Sequence, residues 1–230
     1  MKPCEPVVGR LGLSDEWLIV ADREPSGDSP SPVAWDLLES ELSLFAASRL
    51  TPRVAVHSAA IARNGAVMVV PAISEGGKST LALAAHRAGA TVLSDEYTLI
   101  DPATGLVTGW RRPLRRRLGE ASIERLDLAV PSDPLPVGLI AAVVYDPSAG
   151  NDWRAISAAQ ATMELIGHML CARTRPDAAL DAALALARNA TAVRGTRGDV
   201  DDAVGDLLDL LDGEVRARSL HRGGQRDRSG

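Results

Sequence analysis

The residues of this chain best suited to chemistry lie in one run, AISEGGKST at positions 72–80. A phosphate group needs several backbone N–H donors converging on it, and a glycine-rich turn opening a helix supplies them along with the favourable end of the helix dipole. Ser74, Gly76, Gly77, Lys78, Ser79 and Thr80 stand in the order such a turn requires. Lys78 would reach the β and γ phosphates of a nucleotide such as ATP, and the Ser79 hydroxyl is a ligand for Mg²⁺. Of the 25 basic residues only Lys2 and Lys78 are lysines, so Lys78 departs from the chain's ordinary cation. An ammonium point charge and a guanidinium fork are not interchangeable at a phosphate. Two positions break the full pattern. Ala72 stands where glycine is usual, which is tolerable only if the backbone there avoids positive φ, and Glu75 must point outward to avoid repelling phosphate. The plain alternative is an ordinary strand-to-helix turn.

The elements around the run have the order such a loop needs. Residues 53–62 and 66–71 read as strands joined at Asn64–Gly65, and 78–88 as a helix rich in Ala and Leu. Ahead of them, 17–21 reads as a short strand and 22–32 as a Pro/Ser/Gly connector. Trp35, Leu38, Leu42 and Phe45 recur at helical spacing, predicting an amphipathic helix over 33–49 that packs on the core or on a second copy, which would make a homo-oligomer. Strands are expected at 90–93 and 97–101, separated by the acidic pair Asp95–Glu96, with a turn near Pro102 and Gly105 making a hairpin of 97–109. The unbroken apolar run 138–146 predicts a strand covered on both faces. Two or three helices close the chain. The first begins at Ser157, which has capping-box spacing to Gln160, and one at 199–212 ends at Gly213. Residues 214–230 have little to bury and are expected to be disordered. The expected organisation is an appendage (1–52), an α/β domain (53–213) and a tail (214–230).

Composition narrows the class. Hydrophobic residues make up 46% and aromatics 3%, so the core is aliphatic. A net charge of −5 argues against a nucleic-acid binder, which usually presents a broad basic face. Cys4 and Cys171 cannot make a disulfide framework, pointing to a cytoplasmic setting. No apolar stretch approaches the roughly 20 residues that cross a bilayer, and 1–12 lacks the apolar core of a secretory signal, so no membrane association is expected.

With His57, Lys78 and Asp95 placed, the stretch 54–101 resembles the catalytic core of HPr kinase/phosphorylase and its smaller relatives. The shared pattern is a histidine on a strand, a hairpin, the glycine loop, a helix and an acidic pair, with His57 21 residues before Lys78 and Asp95 17 after it. The resemblance implies a P-loop α/β domain of the HPr kinase C-terminal type, a mixed sheet flanked by helices, using ATP and Mg²⁺ to phosphorylate a serine of a peptide or small protein. It further implies that Asp95 is the general base, that Glu96 helps Ser79 to hold Mg²⁺, and that His57 orients Asp95 or the phosphates. The true HPr kinases carry an acidic-Arg-Gly signature and a further N-terminal domain. This chain offers only Arg117-Leu118-Gly119 and a short segment ahead of the core. The better comparison is with small HPr-kinase-like proteins of ribosomal peptide clusters, including lasso peptide kinases.

The cluster RRPLRRR (111–117) has three readings: a solvated loop, a docking patch for an acidic peptide through residues such as Arg112 and Arg115, or the source of one arginine at the γ phosphate. Without the resemblance, Asp95–Glu96 reads as a solvated turn and His57 as a structural histidine. Two further functions share these residues: a nucleotide-binding regulatory module without transfer activity, suggested by Ala72 and Glu75, and a small-molecule kinase.

Overall fold

The computed structural model describes residues 7–10, 17–20, 32–72, 77–117, 123–127 and 133–226. The chain divides into two units, Met1–Arg49 and Leu50–Gly230. In the first, β1 (Val7–Arg10) and β2 (Trp17–Val20) pair antiparallel, and the helix predicted from the apolar spacing appears as α1 (Pro32–Ser48). The Arg49 guanidinium lies 3.8 Å from the Phe45 ring at the end of that helix. The connector expected at 22–32 lies, apart from Pro32, outside the described residues.

The second unit is an α/β fold with a mixed sheet flanked by helices. In chain order it comprises β3 (Val54–Arg63), β4 (Ala66–Pro71), α2 (Lys78–Arg87), β5 (Thr91–Ser94), β6 (Tyr97–Ile100), β7 (Leu106–Gly109), β8 (Leu114–Arg117) and β9 (Ile123–Leu126). There follow β10 (Leu135–Tyr145), β11 (Asp152–Ala155), α3 (Ala158–Gly167), α4 (Pro176–Asn189), β12 (Thr191–Arg197) and α5 (Val200–Arg226). The main sheet runs β11-β12-β10-β4-β3-β6-β7, with β5 also on β3 and β7 pairing back onto the start of β10. The strands β4, β10 and β12 are mutually parallel, whereas β3 is antiparallel to β4, β5 and β6.

Side-chain alternation explains the layers. On β4, Val67 and Val69 enter one core while Met68 and Val70 enter another, and on β10 a register shift between Val137 and Leu139 puts Val137 with Ile140 in the first core and Leu139 with Ala141 in the second. The first core is completed by Leu165 of α3 and Leu186 of α4, the second by Leu81 of α2 and Leu207, Leu208 and Leu211 of α5. Strands covered on both faces must be apolar throughout, which is why 138–142 read as a continuous run.

Local chemistry sets the corners. Asn64 and Gly65 adopt φ of 52° and 80°, the left-handed pair that a tight β3–β4 hairpin needs. Ser157 caps α3 in a reciprocal box with Gln160.

Four expectations change. The strand at 138–146 starts three residues earlier, and its last residues leave the core, with Val144 59% and Tyr145 53% exposed. The β8–β9 hairpin and the strands β11 and β12 stand where none was predicted. The helix does not stop at Gly213: α5 continues to Arg226, replacing the disordered tail expected over 214–226. Asp212 is nearly buried, taking Arg63 Nε at 3.2 Å and Asn64 Nδ2 at 2.8 Å, and Val215 still packs on the second core, so the chain gains by remaining helical past the glycine. A glycine inside a helix costs only about 1 kcal/mol, a deficit that such contacts offset. Residues 227–230 lie outside the described residues. Among the described residues no helix is long and apolar enough to cross a membrane.

Close packing between α5 and β10 yields a test. A Cβ added to Gly138 would lie 2.7 Å from Leu211 Cδ1. Gly138→Ala should therefore destabilise by about 1–3 kcal/mol and Leu211→Ala by about 2–5 kcal/mol. The double variant should lose less than the sum, because the new methyl enters the space that the leucine leaves. Denaturant unfolding of the four proteins reads this coupling, and simple additivity would show that the two residues do not compete for one space.

Candidate functional site

The parallel strands β4, β10 and β12 end on the same side of the sheet, and their carboxyl ends collect polar side chains. Ligands of open α/β sheets gather at that edge, since the next segment leaves the sheet there and frees backbone donors. After β4 comes Ala72, whose φ is not positive, so no glycine is needed at that position. Residues 73–76 lie outside the described residues, and with them the expected site residues Ser74 and Gly76, and Glu75. Gly77 precedes α2 in the left-handed conformation, φ 77°, where a side chain would be strained.

Lys78 opens α2 and is buried, 7% exposed, with its ammonium donating to the Ala72 carbonyl at 3.1 Å. Burial lowers its pKa, and the nearby carboxylates of Glu96 and Asp95 act in the opposite sense. One residue on, the Ser79 hydroxyl donates to Asp95 Oδ2 at 2.6 Å. Thr80 is exposed in the first turn of α2.

The acidic pair is held by its own turn. Ser94 is buried, and its hydroxyl accepts from the Glu96 N–H at 3.2 Å and the Tyr97 N–H at 3.1 Å. The Glu96 carbonyl in turn accepts from the Ser58 N–H on β3 at 3.1 Å. Asp95 and Glu96 therefore leave a fixed corner in different directions: Asp95 meets Ser79, and Glu96 Oε2 meets Arg112 Nη1 at 2.6 Å. The Arg112 side chain is only 4% exposed, so this member of the basic cluster is neither a solvated residue nor an open docking group. Arg111 is exposed, and Arg115 belongs to β8, its side chain lying outside the described residues.

His57 sits where β3 passes from pairing with β6 to pairing with β4. Its N–H donates to the His168 carbonyl at 2.8 Å and its carbonyl accepts from the Ala72 N–H at 3.4 Å, tying the strand to the start of the loop. The ring lies 5.8 Å from that of Tyr97. Its pKa falls to about 4, through burial first and then the charges of Lys78 and His168, so the imidazole is neutral at neutral pH. Among the described residues no hydrogen bond joins this ring to Asp95.

Two residues of this edge were not anticipated. His168 caps α3 and faces the same charge, its pKa lowered by burial and then by Lys78. Arg197 ends β12 and is 4% exposed, with its guanidinium against Gly77 and 4.6 Å from the Tyr145 ring. Neither lies in a recognisable motif, and an arginine carries no compositional contrast in a chain whose basic residues are nearly all arginine.

A hard cation such as Mg²⁺ is held by one or two oxygen ligands together with phosphate oxygens. The Ser79 hydroxyl and the Asp95 carboxylate supply that chemistry and the donor set fits, whereas Glu96, the carboxylate expected to help hold the ion, has its Oε2 on Arg112. Among the described residues no group of three His, Cys, Asp or Glu side chains gathers as a self-sufficient metal site. In comparisons with known proteins, no family model matches the chain and no curated protein matches its sequence.

The buried imidazole makes stability depend on pH. A histidine whose folded pKa lies below its unfolded value near 6.5 binds its proton more readily in the unfolded chain. Its contribution is therefore complete above pH ~6.5 and is lost as the pH falls toward ~4. Allowing for solvent screening, we expect wild type to lose on the order of 1–2 kcal/mol over that window through this group, and His57→Asn to lose correspondingly less. Denaturant unfolding at about pH 7 and about pH 4.5 checks the difference; equal losses in the two proteins would show that the ring is not held neutral.

Proposed function

We propose that this chain is a Mg-ATP-dependent kinase that phosphorylates a serine hydroxyl of a peptide or small protein, built on a P-loop domain of the HPr kinase C-terminal type. The observation that carries this reading is the Ser79–Asp95 contact at 2.6 Å beside the buried Lys78. An ordinary strand-to-helix turn has no reason to bury a lysine or to set a carboxylate against the hydroxyl that follows it. Phosphoryl transfer has use for both, because it asks the protein for positioning and charge neutralisation, with a carboxylate near the attacking oxygen. The ordinary φ of Ala72 removes one of the two departures that favoured a module without transfer activity.

Each residue then has a task. Lys78 takes the β and γ phosphates, and the N–H groups opening α2 take further phosphate oxygens. Ser79 would hold Mg²⁺, assisted by the acidic turn. Bound Mg²⁺ supplies neutralisation of the charge shared between β and γ phosphates. Asp95 accepts the proton of the acceptor hydroxyl as that oxygen attacks. Glu96 and Arg112 form a partly buried pair that holds the turn, and the neutral rings of His57 and His168 border Lys78 without adding charge.

Variants separate binding from transfer. Lys78→Ala should abolish nucleotide binding or turnover. Asp95→Asn should leave ATP affinity nearly intact and lower transfer to an acceptor peptide by roughly 10²–10⁴-fold. Calorimetry with ATP, together with mass spectrometry of peptides encoded beside the gene, reads both quantities. Full transfer by Asp95→Asn would sink the mechanism, and nucleotide binding without any labelled acceptor would favour the regulatory module.

A further inference from the structure

Arg197 is the least explained side chain of the carboxyl edge. It is 4% exposed, yet among the described residues its guanidinium makes no hydrogen bond and no ion pair, and it lies 4.6 Å from the Tyr145 ring. The cation lies against the amino end of α2: a Cβ on Gly77 would overlap its Nη2. That end of the helix carries the positive pole of the dipole, and Lys78 follows directly. A buried guanidinium facing a helix amino terminus is unfavourably placed unless an anion joins the group. Burial already lowers the Arg197 pKa, with Tyr145 and Asp199 only partly opposing it.

The backbone holds this arrangement in place. Arg197 pairs in register with Tyr145 across the parallel strands β12 and β10, and its carbonyl accepts from the Asp146 N–H at 3.0 Å. The guanidinium thus comes from a strand end two strands away from β4, on a fixed backbone. A planar fork of N–H donors so delivered matches a pair of phosphate oxygens, which a lysine at that position could not bind in the same way.

We propose that Arg197 is a phosphate-binding residue, its guanidinium taking oxygens of the diphosphate group of a nucleoside di- or triphosphate whose other oxygens meet Lys78 and the N–H groups opening α2. This rests on the proposed nucleotide site and adds to it a ligand from outside the glycine loop.

Isothermal titration with ADP, ATP, AMP and inorganic pyrophosphate tests the assignment on wild type, Arg197→Ala and Arg197→Lys. Expected are losses of roughly 10- to 100-fold for ADP, ATP and pyrophosphate in Arg197→Ala, and only partial recovery in Arg197→Lys. A readout on the wild type does not depend on how the variants fold: the guanidinium Nε–H resonance of Arg197, identified by its absence in Arg197→Lys, should shift on adding ADP and stay in place with adenosine. Affinities within twofold of wild type in both variants, or an unmoved resonance at saturating ADP, would overturn the assignment while leaving the nucleotide site standing. If wild type binds pyrophosphate in an Arg197-dependent way but no nucleotide, the kinase reading fails and the phosphate ligand survives. No binding of any of the four ligands overturns both.

Discussion

The strands β3, β4 and β10 are covered on both faces, and most other features of the second unit follow from that burial. A strand with one wet face can carry polar side chains along its length, but one packed between two cores cannot, because each polar group would need a partner inside. Helices must therefore lie on both sides, α2 with α5 and α3 with α4, and ionisable groups are pushed to the strand ends. Lys78, Asp95, Arg197 and His57 meet at one edge of the sheet because that is where such groups remain affordable.

The edge has a divided electrostatic character. Lys78 and Arg197 lie near the amino end of α2, and both are buried enough for their charged forms to be disfavoured. Opposite them stands the acidic turn, its backbone braced by Ser94 and Ser58 and one of its carboxylates held by Arg112. The two histidines beside Lys78 contribute none of the positive charge at neutral pH, as their pKa values are depressed. Anion attraction thus resides in one ammonium, one guanidinium and the backbone.

How much of this could be read in the sequence depended on whether the cause was local. The β3–β4 hairpin announces itself through Asn64–Gly65, residues that accept positive φ, and α3 through a cap three residues long. Lys78 could be singled out by its glycine loop, and His57 and Asp95 only through the family resemblance that their separations from it carry, across a hairpin, a loop and one helix. By contrast, β12 has the sequence TAVRGTR, with little apolar alternation, and becomes a strand by pairing with β10 over seven residues. Arg197 and His168 reach the site only through that sheet and through α3, a convergence no local pattern records. The persistence of α5 past Gly213 likewise comes from Asp212 and Val215 contacting distant elements, while the glycine taken alone argues for a stop.

The alternation that sends successive residues of β4 into opposite cores also limits how this architecture can diversify over time. A single residue inserted or deleted within β4, with no bulge to absorb it as β10 has between Val137 and Leu139, would exchange the contents of the two cores at once. Length can vary at little cost only beyond the strand ends, in the loops that surround the polar edge. Descendants of such a chain could remodel what approaches that edge many times over and still inherit the same sheet.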